Sequence, residues 1–182
     1  ADTHIDKRVA EIAPNIQDAL TAFVKDLGFE KEKIYVVLDT AGKEEIKFQG
    51  NSAIISLNPE RIEAYKKALI NDPKTGPFTR TLSEPQFKMY LTAKILSHEL
   101  GHIVLRKFLK ISNPTEGQFR KLLDDFNSYL KDRNIDPVTF TSERNIKAGA
   151  EYHKMFDEFF AERVSKALIN DSLLNKFGDK RF

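Results

Sequence analysis

Between Phe87 and Leu109, the side chains of Phe87, Leu91, Ile95, His98, His102, Leu105 and Leu109 recur at the three- and four-residue spacing that puts them on one face of a helix. Most of that stripe is apolar, so the helix has to be buried along it, and two imidazoles are buried with it. A polar ring inside a core is costly unless another group satisfies it. Two histidines on the buried face of an otherwise apolar helix restrict the reading of the chain more than any other feature. Ser83-Glu84-Pro85 supplies the helix opening, and the periodicity carries it to about Leu109.

His98 and His102 are separated by one helical turn, with Glu99 between them: His98-Glu99-x-x-His102. Imidazoles at i and i+4 can converge on one ion. Glu99 is rotated by roughly 100° from His98 and does not join them as a ligand. It can instead reach the water in the open position of a hydrolytic metal site. A lone histidine on such a face would be read as a satisfied core residue; two at this spacing beside a glutamate read as a metal site.

A catalytic zinc takes three protein ligands and keeps one position open. The chain has no cysteine, so only His, Asp and Glu are strong candidates. His4 is terminal and His153 stands alone, whereas Asp157-Glu-Phe-Phe-Ala-Glu162 offers two glutamates four apart. Glu158 is the candidate third ligand, and Glu162, one turn on, can accept the free ring N–H of a ligand histidine. Phe156, Phe159, Phe160, Val164 and Leu168 cover the opposite, core-facing side. The plainer alternative is that both glutamates are solvated helix acids.

The rest of the chain gives an α+β pattern. Val9, Ile12, Ile16, Leu20, Phe23 and Leu27 predict a helix over 6–27, stopped at Gly28. Ile34 to Leu38 is a strand, Ile46 and Phe48 suggest a second, and Ser52 to Leu57 a third, with turns at Ala41-Gly42 and Gly50-Asn51. The sheet should be small and antiparallel or mixed. Asn58-Pro59-Glu60 opens a helix ending near Asp72-Pro73, and Asn71 to Pro85 reads mostly as loop. A helix from Asn113-Pro114-Thr115 carries Phe119, Leu122, Leu123, Phe126, Tyr129 and Leu130, and breaks at Asp136-Pro137. A last helix runs from about Ala148 to Leu174. The 182 residues suffice for one domain, with sub-lobes at about 1–110 and 111–182.

Lys and Arg total 29 against 27 acidic residues, a net charge of +2, which argues against nucleic acid or an anionic membrane as partner. No apolar run reaches the roughly 18 residues that span a bilayer. A protein or peptide substrate and a monomeric state are the expectations. Ala1 at the start of the chain fits removal of a signal peptide or trimming, which makes a secreted or periplasmic location the expectation, with a cytoplasmic or host-delivered effector as the alternative.

His-Glu-Leu-Gly-His-Ile-Val (98–104) followed by Asp-Glu-Phe-Phe-Ala-Glu (157–162) resembles the gluzincin metallopeptidases, closest to the anthrax lethal factor-like group that includes the Pro-Pro endopeptidases. The two blocks together cover 13 residues of the chain. The resemblance implies a zincin-like fold, a small sheet with N-terminal helices beside a mainly helical C-terminal half and a cleft between them. It implies Zn2+ held by His98, His102 and Glu158, with Glu99 as general base and Glu162 behind the ligands. It also implies a tyrosine upstream of the third ligand that hydrogen-bonds the tetrahedral intermediate. Tyr152 stands six residues before Glu158, where the group's spacing is seven, and adjacent His153 is the alternative for that role. In proteins resembling this one the substrate lies along an edge strand above the active-site helix, and Ser52 to Leu57 is the candidate edge, or else an internal strand. The activity implied is a zinc-dependent endopeptidase. The alternatives are a toxin-like or regulatory protease cutting one partner, and a non-enzymatic metal-binding helical module.

Overall fold

A computed structural model describes residues 1–13, 15–39, 46–111, 116–132, 134 and 149–169, with the backbone alone at 108–111, 116–123 and 149–156. The order of elements is β1 (Asp2–Ile5), α1 (Lys7–Ile12), α2 (Ile16–Asp26), β2 (Lys33–Leu38), β3 (Ile46–Gln49), β4 (Ser52–Leu57), α3 (Pro59–Asn71), α4 (Gly76–Thr79), α5 (Glu84–Ile111), α6 (Glu116–Asp132) and α7 (Gly149–Leu168).

The helix expected over 6–27 is two helices. Ala13, which precedes a proline, leaves the helical region at φ −127° and ψ 85°, as the proline ring requires of its neighbour, and Asn15 restarts the chain from the left-handed region at φ 61°. At the far end Gly28, at φ 68°, closes α2: its N–H donates to the Lys25 carbonyl and that of Phe29 to the Val24 carbonyl, the paired bonds of a Schellman stop. Asp2–Ile5, which carries no strand signal of its own, forms β1 by pairing in parallel with β2.

The four strands lie in the order β1-β2-β4-β3, so the sheet is mixed: β4 runs parallel to β2 and antiparallel to β3. This corrects the expectation for Ser52 to Leu57, which is an interior strand with neighbours on both sides. Its buried Ala53, Ile55 and Leu57 alternate with half-buried positions, and such a strand needs both ladders filled to satisfy its backbone. The edges are β1 and β3. Ile34 and Val36 of β2 lie on the same face as Ala53 and Ile55 by their register, and all four are buried in the main core with Leu20 and Phe23 of α2 and Leu96 and Leu100 of α5.

Asn58 caps α3 by accepting the Glu60 N–H at 2.9 Å. The stretch expected as loop after it contains the short α4. Ser83 and Gln86 exchange hydrogen bonds, Ser83 N–H to Gln86 Oε1 at 2.9 Å and Gln86 N–H to Ser83 Oγ at 3.3 Å, which is the capping box that starts α5. The expected single stripe on α5 understates its burial. From Tyr90 to Leu105 nearly every residue is buried or half-buried, polar Thr92, Lys94, Ser97, His98 and Glu99 included. A helix buried all round is a central helix; α5 has α2 and the sheet on one side and α7 along another, with α3 beside it. On α7, Phe159 packs on Phe126 of α6, ring centroids 5.5 Å apart, and Tyr129 lies 5.3 Å from Phe159. The expected break at Asp136-Pro137 and the extension of the last helix to Leu174 fall outside the described residues, as does the side chain of Phe156.

The far end of α5 is tied to the sheet side by two cations. Lys107 makes an ion pair with Glu32 at 2.7 Å, and the Arg106 guanidinium lies 4.2 Å from the centre of the Phe48 ring on β3.

Candidate metal centre

Three side chains from two helices converge. His98 and His102 project from α5, their ring centroids 5.0 Å apart, because they sit one turn apart on one face. Glu158 projects from α7 and spans both: Oε2 lies 2.9 Å from His98 Nε2, and Oε1 lies 3.5 Å from His102 Nε2. One donor atom from each residue lies within 4.8 Å of the others, so the group could hold a metal ion. Donors on a tetrahedron with bonds near 2.1 Å stand roughly 3.4 Å apart, so the spacing fits an ion in size as well as in donor type. The histidines form the floor, with side chains 7% and 14% exposed, while the Glu158 side chain, 53% exposed, stands at the mouth. The ligand set is thus buried at the two histidines and reached by solvent at the carboxylate.

Hydrogen bonds from His102 and His98 hold the Glu158 carboxyl well below the usual carboxylate range, against the opposing effect of burial. The carboxylate is thus kept charged, which is the form a cation needs. Glu99, the next residue after His98, is buried at 4% exposure.

The structure brings together His98, His102 and Glu158 as expected. Tyr152 and His153 lie on the backbone of α7, but their side chains are outside the described residues. Glu162 is exposed, and its charge acts on Lys94 and Tyr90 of α5: it opposes the downward push of burial on the Lys94 ammonium, and it adds to burial in raising the Tyr90 phenol. Sequence reasoning missed Tyr65 of α3, whose ring stands edge-on to His98 with centroids 6.3 Å apart. No spacing could have found it, since α3 carries only one buried apolar residue, Leu69, and its register on α5 is a tertiary fact.

No protein-family model, curated protein or solved structure matches the chain.

Proposed function

We propose that the chain is a zinc-dependent endopeptidase that hydrolyses peptide bonds in proteins, with His98, His102 and Glu158 as metal ligands and Glu99 as general base. The observation that carries this reading is the convergence of two imidazoles and one carboxylate on a half-open site, with a second, buried glutamate in the position next to the first imidazole. Two nitrogens and one oxygen suit zinc and leave a fourth position for water. The same three donors also suit non-haem iron; Glu99 beside them is what favours hydrolysis.

Bound zinc would lower the pKa of a water towards 7 and polarise the scissile carbonyl. Glu99 would take a proton from the attacking water as its oxygen adds to the carbonyl carbon, and would deliver it to the leaving amine as the C–N bond breaks. Tyr152, with His153 as the alternative, donates a hydrogen bond to the developing oxyanion.

The substrate adds in extended form to an edge of the sheet. With β4 interior, β3 is the edge that serves. The Arg106–Phe48 contact supports this choice, since it sets β3 beside α5 one turn beyond His102.

The test is incubation with a peptide library, read by mass spectrometry with and without a chelator. The expected outcome is cleavage that stops on chelation and returns with zinc but not with magnesium, an ion that prefers oxygen ligands. Failure of the zinc-loaded protein to cut any peptide overturns the proposal.

A further inference from the structure

The ligands come from two helices that must be held at a fixed distance, and the side chains between those helices are unusually small. On α5, Ser97 and Gly101 are four residues apart; on α7, Ala161 and Ser165 are also four apart. All four are buried. Ser97 Oγ and Ser165 Oγ share a hydrogen bond of 2.6 Å. One turn along each helix, a Cβ built on Gly101 would lie 2.7 Å from Ala161 Cα and 2.8 Å from its carbonyl oxygen. Real Cβ atoms do not come that close, so α7 lies against the bare backbone of α5 at Gly101. The antiparallel register follows from the two contacts: four residues forward on α5, from Ser97 to Gly101, match four residues back on α7, from Ser165 to Ala161.

The metal ligands flank this contact. His98 and His102 bracket Gly101, and Glu158 precedes Ala161 by three residues, which places it on the same face of α7. A glutamate side chain has a short reach, and its two oxygens lie 2.9 and 3.5 Å from the two imidazoles. An outward shift of α7 by even part of an ångström would open those distances. Close-packed interiors transmit such a shift and do not absorb it.

We infer that the facing pairs Ser97-x-x-x-Gly101 and Ala161-x-x-x-Ser165 form the spacer that sets the metal site, with Gly101 as its positioning residue: the absent side chain lets α7 come near enough for Glu158 to close the ligand set, and the serine bond fixes the register. This rests on the reading of His98, His102 and Glu158 as metal ligands. Gly101 touches neither substrate nor metal and acts through the backbone of α7.

Gly76 provides the control. A Cβ there would meet the Ile70 carbonyl oxygen at 2.5 Å, a clash of similar severity on α4, which packs on α3 and contributes no ligand. Zinc affinity of the full chain is measured by competition with a chromophoric chelator, with helix content followed by circular dichroism. Wild type is expected to bind one zinc per chain. Gly101→Ala should weaken binding at least tenfold with helix content retained, and Gly76→Ala should lower Tm while leaving the affinity of the folded protein within twofold. Ser165→Ala, which removes only one hydroxyl, folds if Gly101→Ala does not, and should weaken zinc at least threefold. Zinc affinity within twofold of wild type in folded Gly101→Ala overturns the inference; if that variant is unfolded, the same result in Ser165→Ala overturns it. A wild type that binds no zinc instead overturns the ligand reading on which the inference rests.

Discussion

The two flanks of α5 are built on different principles. Towards α2 and the sheet, the contact is made by large apolar side chains, among them Phe23, Ile34, Ile55, Leu96 and Leu100, all at 0–1% exposure. Towards α7 the closest approach is at Ser97, Gly101, Ala161 and Ser165, where backbone meets backbone and one hydroxyl bond spans the gap, while Val164 and Leu168 of the same helix pack into the shared core. The first flank is redundant: each side chain supplies part of a shared core, and the loss of one leaves the rest in place. The second has almost no spare volume and sets a distance. Ligand geometry is thus set where α7 comes closest, while stability is spread over the shared core, and substitutions at the two should separate these properties.

Phe23→Ala should produce the largest change in stability. Removing a fully buried phenyl ring from the core is expected to cost about 3–5 kcal/mol, while zinc affinity of the protein that remains folded stays near that of wild type. Chemical denaturation beside chelator competition checks both halves, and a parallel loss of affinity in the folded fraction would erase the contrast between the flanks. A smaller effect is expected at the end of the same flank. Lys107→Ala removes the ion pair with Glu32, whose partners keep 38% and 18% of their side-chain surface. The cost should be roughly 0–1 kcal/mol and should shrink as salt is raised. A large, salt-independent loss would mean that packing of Lys107 over Phe29, 5.3 Å from the ring centre, carries the contact.

The division also explains what the sequence disclosed. His98, Glu99 and His102 are legible because a helix converts sequence spacing into geometry within a single turn. Glu158 is legible in a weaker way, since its candidacy depended on a partner helix whose position no local pattern encodes. The break between α1 and α2 was signalled by Pro14 but overridden by a continuous apolar period across it. β1 was invisible because Asp2–Ile5 is a strand only by virtue of β2 beside it. Strand order is non-local too, and so Ser52 to Leu57 could be recognised as a strand while its interior place could not. Gly101 stood in plain view between the two histidines, yet its meaning lies in Ala161, 60 residues on. The large apolar side chains announce a core wherever they occur; small residues that set a distance announce nothing until both helices are in place.

Glu99→Gln separates a hydrolytic site with Glu99 as its base from a site that only binds metal, because it keeps the shape of a residue buried at 4% exposure and removes its charge. Zinc content and peptide turnover are measured on the same preparation. The variant should hold about one zinc per chain, as in wild type, with turnover reduced by roughly 10²–10⁴, the contribution of a positioned general base. Turnover retained at full zinc occupancy rules out Glu99 as the base.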